Sequence, residues 1–188
     1  NALVLPFMER VYPDAKYIVL TRHPAAIFAS YANSFFDGDF ESALKFNPIL
    51  SRYIPAMAKF LRETSVPHLH VRYEDLVTDP EATLSRISEF LDIPFEPSAV
   101  NYKQKDVAGQ GLGDPVGVAK HSRPVTDSIH KWAAELAADP AKLDTIASQL
   151  ALVPPEDLRT FGYDPTTLWA PMESADPSAW LPAKKKMD

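Results

Sequence analysis

The sequence predicts an α/β fold with a mostly parallel sheet, and two segments carry this prediction. Residues 16–21 are predicted to form a strand, because residues 17–20 are an apolar or aromatic run without alternation, which is typical of an interior parallel strand. Pro24 follows almost directly and suits the first turn of a helix, where its missing N–H costs nothing. Residues 69–72 form a second strand, and a short turn leads from it to a helix that begins near Pro80.

Hydrophobic spacing places the other elements of the first half of the chain. Residues 3–12 and 24–36 have apolar side chains at helical spacing, and each is predicted to form a helix. Residues 37–39 have the sequence Asp-Gly-Asp, which ends the second of these helices with a turn. Residues 48–63 are predicted to form a longer helix, in which Pro55 should cause a kink or a break.

The second half of the chain is predicted to be mainly helical. The same spacing indicates helices over residues 80–91, 128–137, 140–152 and 155–162. Residues 95–120 lack periodicity and are predicted to form a long loop, and loops of this length often act as functional lids. We interpret residues 1–165 as one domain and residues 166–188 as a C-terminal tail that contains three consecutive lysines.

Bulk composition limits the classes of function. The 188 residues suffice for one domain with a sizeable core, and 46% hydrophobic residues with 23% charged residues are ordinary for a globular protein. The net charge of −6 argues against nucleic-acid binding by bulk attraction. There is no cysteine, and no apolar run approaches the roughly 20 residues that a membrane helix needs. We therefore expect neither a nucleic-acid partner nor a membrane, and a cytoplasmic location.

Arg22 is the first candidate for a functional residue. It follows a predicted parallel strand and precedes the helix that begins at Pro24. The carboxyl edge of such a sheet is where α/β folds bind ligands, and a helix N-terminus favours anions. A guanidinium at this place can hold a phosphate or sulfate by two parallel hydrogen bonds.

Three segments of the chain together suggest a family. They are TRHP at residues 21–24 with Ser30 eight positions after Arg22, VRYEDL at residues 71–76, and HSRP at residues 121–124 with KW at residues 131–132. In this order they resemble the sulfotransferases that use 3'-phosphoadenosine 5'-phosphosulfate, and the bacterial members in particular. The resemblance covers roughly residues 1–165. It implies a three-layer fold of the P-loop nucleoside-kinase kind.

The resemblance also implies which residues bind the nucleotide. Arg22 and Ser30 would hold the 3'-phosphate, Tyr73 would contact the adenine, and a basic loop would close over the phosphates. The expected cofactor-binding residues are Arg22, Ser30, Tyr73, Ser122, Arg123 and Lys131. Alternatives remain open from the residues alone: Arg22 could pair with a surface acid, Tyr73 could be a half-buried cap of the sheet, and the loop could be a solvated charged segment.

Several expected parts of a complete site are not found in the sequence. The family has a phosphate loop rich in Gly, Ser and Thr before this point, and the glycine cluster at residues 109–113 lacks the following Lys-Ser or Lys-Thr. We therefore expect the chain to be the C-terminal portion of such a domain, inactive alone. No residue is identified as the catalytic base: Glu9, His23 and Asp37 are the acids or bases nearest to the first site in sequence, and no motif marks any of them as a base. Glu74 and Asp75 are interpreted as structural acceptors in the turn before the Pro80 helix.

The resulting hypothesis is an enzyme that moves a sulfuryl group from 3'-phosphoadenosine 5'-phosphosulfate to a hydroxyl, without a metal. The acceptor could be a small molecule, a carbohydrate or a carrier-bound intermediate. Two alternatives are kept. One is a non-catalytic nucleotide-binding or interaction domain, and the other is a kinase with a P-loop.

Overall fold

The computed structural model describes residues 2–101 and 121–180, and it shows helices around a small parallel sheet. In these two ranges no helix is both long and apolar enough to cross a lipid bilayer. The α-helices are α1 (Leu5–Val11), α2 (Pro24–Phe35), α3 (Phe40–Phe46), α4 (Ile54–Glu63), α5 (Tyr73–Thr78), α6 (Pro80–Leu91), α7 (Lys131–Ala138), α8 (Pro140–Leu150), α9 (Pro155–Thr160) and α10 (Ala170–Glu173).

The sheet of the described residues consists of β1 (Tyr17–Thr21) and β2 (His68–Arg72), which pair in parallel. This confirms the predicted α/β class. Thr21 stands opposite Arg72 in the register, so both strands end at the same level. The residue after each strand, Arg22 in one case and Tyr73 in the other, therefore leaves the sheet at one carboxyl edge.

The main hydrophobic core lies among the helices that connect and follow the two strands. Its side chains come mainly from α2, α3, α4, α7, α8 and α9. Trp132 on α7 is 3% exposed and belongs to this core. Leu168, in the segment interpreted as a tail, is buried in the same core.

The helix predicted over residues 48–63 is interrupted, as Pro55 suggested. Ile49–Tyr53 form a π-helix, and α4 then begins with Pro55 in its first turn. Proline has no N–H to donate and its ring clashes with the carbonyl four residues earlier, so a regular α-helix cannot run through this position.

Three short α-helices were not predicted, namely α3, α5 and, in the segment interpreted as a tail, α10. α3 follows the turn at residues 37–39, and Asp39 caps it by accepting a hydrogen bond from the Ser42 N–H at 3.0 Å. α5 replaces the short turn expected between β2 and the Pro80 helix. Helices of four to seven residues make fewer than two turns, so they show no repeating apolar period in the sequence.

The boundaries differ from the predictions in two more places. Thr126–Ser128 form a 3₁₀ helix, and α7 begins at Lys131 rather than Ser128. Within the loop predicted over residues 95–120, Pro97–Val100 form a 3₁₀ helix. The remainder of that loop from residue 102, including the glycine cluster at residues 109–113, lies outside the described residues.

Candidate functional site

The carboxyl edge of the sheet brings Arg22 and Tyr73 into contact. The Cζ atom of Arg22 lies 4.3 Å from the centre of the Tyr73 ring. This is a close cation–π arrangement, and it follows from the register, because both residues directly succeed paired strand ends. The edge thus presents a guanidinium stacked on an aromatic ring.

Ser128 joins these two residues from a distant part of the chain. Its carbonyl oxygen accepts a hydrogen bond from Arg22 Nη2 at 2.8 Å, and its hydroxyl shares a hydrogen bond of 2.6 Å with the Tyr73 hydroxyl. We call Arg22, Tyr73 and Ser128 the edge cluster. A guanidinium carries five N–H donors, and among the described residues only the bond to Ser128 engages the Arg22 donors. Its Nε is buried, so the donors of the two terminal nitrogens are the ones that can reach a ligand.

The other four predicted site residues lie on the surface and outside this cluster. Ser30 is exposed on α2, Ser122 and Arg123 are exposed ahead of the 3₁₀ turn, and Lys131 is exposed at the start of α7. Within the part of the chain that the structure describes, no hydrogen bond joins any of them to the edge cluster. Their nucleotide-binding roles stay predictions.

Behind the edge cluster lies a second group of polar contacts centred on Glu74. Its Oε1 accepts a hydrogen bond from the backbone N–H of His23 at 2.9 Å, and its Oε2 accepts one from the Tyr163 hydroxyl at 2.7 Å. The expectation that Glu74 binds backbone N–H groups of the turn before the Pro80 helix is wrong. Asp79 caps that helix by accepting from the Ala82 N–H at 3.0 Å.

His23 is buried beside this carboxylate. Its imidazole stacks on Trp132 with ring centres 4.3 Å apart, and its Nε2 donates to the Leu168 carbonyl oxygen at 3.0 Å. Burial lowers the pKa of His23 to about 4, which outweighs the opposing effects of the Leu168 hydrogen bond and the nearby Glu74. The ring is therefore neutral at pH 7, and with the proton on Nε2 it acts as a fixed part of the β1–α2 turn.

Tyr163 and Arg72 complete the group around Glu74. The Arg72 guanidinium lies 4.7 Å from the centre of the Tyr163 ring. Burial and the charge of Glu74 raise the pKa of the Tyr163 phenol, so it stays protonated and donates to the carboxylate. Gly162 has φ of +84°, and a Cβ atom there would lie 3.0 Å from Arg72 Cδ, so glycine is needed both for the backbone and for the guanidinium. These side chains border a cleft of about 250 Å³.

Four residues of the site region were not among the predicted site residues: Ser128, His23, Glu74 and Tyr163. The first three lie within three positions of a predicted site residue in the sequence, so adjacency was a usable signal. Glu74 is next to Tyr73, and His23 is next to Arg22. Nothing local marks Tyr163, which lies 89 residues after its partner Glu74.

The burial of His23 predicts a pH dependence of stability. In the unfolded chain its pKa has the ordinary value of 6.5, and in the folded protein it is about 4. Below pH 6.5 the unfolded chain therefore binds a proton that the folded protein does not. We expect the free energy of unfolding to fall by about 2 kcal/mol from this residue between pH 7 and pH 5. Urea denaturation at both values should show it.

His23→Leu removes the titrating group and keeps an apolar contact for Trp132, so it serves as the reference for this measurement. The variant should lose less stability than the wild type over the same pH interval, even if it is less stable at pH 7. Equal losses in the two proteins would show that the His23 ring takes up its proton in the folded state.

The chain is similar to known sulfotransferases. A family model described as "Sulfotransferase family" matches residues 1–97. The protein-tyrosine sulfotransferase A of Caenorhabditis elegans is 29% identical over 174 residues, which are 85% of this chain and 42% of that protein. The protein-tyrosine sulfotransferase of Drosophila melanogaster is 23% identical over 197 aligned residues, covering 93% of this chain and 35% of that protein.

A solved structure agrees with these matches. The sulfotransferase domain from the curacin biosynthetic pathway aligns with a TM-score of 0.59 and 26% identity, over 82% of this chain and 60% of that domain. The chain spans less than half the length of the curated relatives it matches. The predicted family is thereby confirmed, and the chain belongs to the sulfotransferase family.

Proposed function

We propose that this protein transfers a sulfuryl group from 3'-phosphoadenosine 5'-phosphosulfate to an acceptor hydroxyl, and that the edge cluster holds the 3'-phosphate end of the nucleotide. The observation that carries this proposal is the Arg22 guanidinium stacked on Tyr73 at the carboxyl edge of the parallel strands. Carboxyl edges of parallel sheets are the usual ligand sites of α/β folds.

The donor set of the edge suits this nucleotide. The N–H groups of the Arg22 terminal nitrogens that have no partner among the described residues can form charge-assisted hydrogen bonds to phosphate oxygens. The Tyr73 ring supplies an aromatic surface near which an adenine can pack. Ser30, Ser122, Arg123 and Lys131 are the further groups that we assign to the phosphates, on the strength of the family resemblance. As exposed side chains they can turn toward a bound anion.

The proposed reaction consists of three events. The acceptor oxygen attacks the sulfur, the bond between the sulfur and the bridging phosphate oxygen breaks, and the hydroxyl proton is transferred to a base. The residues of this chain contribute by fixing the leaving nucleotide at its 3'-phosphate. Binding energy from this remote group can then be used to orient the sulfuryl group for attack.

The acceptor is proposed only as a class. The relatives from C. elegans and D. melanogaster are named for sulfation of protein tyrosine, and the solved domain is named for a biosynthetic pathway. The tyrosine in the first two names is a hydroxyl acceptor. A protein tyrosine therefore joins the small-molecule, carbohydrate and carrier-bound hydroxyls as a candidate.

The proposal predicts selectivity for the 3'-phosphate. Calorimetric titration of the protein should give tighter binding of 3'-phosphoadenosine 5'-phosphate than of ADP. Hydrogen bonds to charged groups contribute about 1.5–3 kcal/mol each, so one such contact corresponds to roughly 10- to 150-fold in affinity. Adenosine 2',5'-bisphosphate is the matched control ligand, because it has the same groups with one phosphate moved. Equal affinity for all three ligands would refute the proposed function, and a preference for ADP would favour a kinase.

A further inference from the structure

Glu74 links the two residues that form the proposed nucleotide site. It directly follows Tyr73 in the chain, and its Oε1 accepts from the backbone N–H of His23, which directly follows Arg22. One carboxylate thus connects the start of α5 with the turn between β1 and α2. Arg22 and Tyr73 stand on opposite sides of this link and face each other across 4.3 Å.

The carboxylate is itself held from the other side. The Tyr163 hydroxyl donates to Oε2, and the Tyr163 ring contacts both the Arg72 guanidinium and the His23 imidazole. Both oxygens of Glu74 therefore have a donor, which restricts the side chain to one orientation. Hydrogen bonds to an ionised carboxylate are stronger than neutral ones, so the link is suited to hold a fixed spacing.

We propose that Glu74 is a positioning residue, which sets the spacing between the Arg22 guanidinium and the Tyr73 ring so that one nucleotide can contact both. This inference rests on the proposed function and concerns the same site. Without the link, the β1–α2 turn and the start of α5 are joined by the pairing of β1 with β2 and by Ser128, which contacts the Arg22 and Tyr73 side chains only. When two binding groups are displaced by about 1 Å relative to each other, a ligand that contacts both loses a large part of its affinity.

The direction in which nucleotide affinity changes when the Glu74 carboxylate is removed distinguishes a positioning role from a purely electrostatic one. Glu74 is a negative charge next to a site that is proposed to bind phosphate. If charge alone mattered, removing it would strengthen the binding of an anion. Positioning predicts the opposite, because Arg22 and Tyr73 lose their fixed relation. A purely structural role predicts a lower melting temperature with no change in selectivity between nucleotides.

The test is the affinity for 3'-phosphoadenosine 5'-phosphate and for ADP, measured by calorimetry well below the melting temperature of every variant. We expect Glu74→Ala to weaken binding of the bisphosphate about tenfold or more and to reduce its preference over ADP. Glu74→Gln keeps an acceptor for the His23 N–H and an amide that can donate to the Tyr163 oxygen, so it should recover most of the preference. Glu81→Ala, which removes an exposed carboxylate at the start of α6, should change neither affinity.

Tyr163→Phe provides a second variant should Glu74→Ala fail to fold. It removes only the bond to Oε2 and keeps the ring, so an effect on selectivity smaller than that of Glu74→Ala is expected. An unchanged or stronger preference for the bisphosphate in Glu74→Ala and Tyr163→Phe would overturn the positioning role. If the wild type shows no such preference, the proposed function fails instead, so the two failures are distinct.

Discussion

Replacing Arg22 with alanine is expected to weaken the binding of 3'-phosphoadenosine 5'-phosphate by about 2–5 kcal/mol, which is roughly 30- to several thousand-fold in affinity. The physical reason is that a partly buried guanidinium next to an aromatic ring is the strongest phosphate donor at the carboxyl edge of the described strands. Calorimetric titration of wild type and variant measures the difference. The affinity for ADP should change much less.

Milder substitutions should follow in a graded order. Arg22→Lys keeps the charge but loses the planar pair of donors, so binding should still weaken clearly. Ser30→Ala should cost about 0.5–1.5 kcal/mol, as expected for one ordinary hydrogen bond. Arg10→Ala is the matched control, because Arg10 is exposed on α1, which precedes β1 and so lies toward the opposite end of that strand. It should leave the affinity unchanged.

The contacts of Arg22 define the result that would contradict this prediction. Its Nη2 already donates to the Ser128 carbonyl oxygen, and its guanidinium covers Tyr73. If it only braces these two residues, Arg22→Ala should lower the melting temperature without nucleotide and leave the affinity ratio between the bisphosphate and ADP unchanged. An unchanged ratio would remove Arg22 from the phosphate site.

Local signals in the sequence explain which elements were predictable. Pro24 and Pro80 each begin a helix at its first residue, and the helix predicted over residues 80–91 has those bounds in the structure. Proline at this position combines a favourable φ with no lost hydrogen bond, so the signal is strong and does not depend on distant contacts. The short helices α3 and α5 show no repeating apolar period and have no proline at their first residue. Asp39, which caps α3, was nevertheless a local signal that could have predicted the start of that helix.

The site was predictable only in part for a related reason. Residue type and the end of a strand identified Arg22, and the family resemblance identified Tyr73. The parallel register then brings the two together. The contacts that hold them come from far along the chain: Ser128 lies 106 residues after Arg22, and Leu168 lies 145 residues after His23. Such partners follow from the packing of the helices, which a single sequence does not specify residue by residue.

A buried ion pair away from the carboxyl edge of the sheet is expected to contribute strongly to the stability of the fold. Glu135 on α7 is 1% exposed, and its two oxygens accept from Lys142 Nζ at 2.6 Å and Asn33 Nδ2 at 2.7 Å. The ammonium of Lys142 also lies 4.7 Å from the centre of the Phe40 ring. These contacts join α2, α3, α7 and α8, so the pair holds together the helices that pack around α2.

Lys142→Met should lower the free energy of unfolding by about 3–5 kcal/mol, because it leaves the Glu135 carboxylate buried without its counter-charge. Methionine keeps a stem of similar length over Phe40, so lost packing is a minor part of the effect. Urea denaturation measures the change. Lys45→Met, in the exposed pair with Glu41 at 3.8 Å, is the control and should cost about 1 kcal/mol or less.

The double variant Lys142→Met/Glu135→Gln decides whether the unpaired charge causes this loss. Glutamine keeps an acceptor for Asn33 and removes the buried charge, so the double variant should be more stable than Lys142→Met alone. The double variant should then lose much less stability than the sum of the losses in the two single variants, as expected for residues in direct contact. A double variant that is as unstable as the sum of its single variants would mean that packing of the Lys142 stem, and not its charge, holds α7 and α8 together.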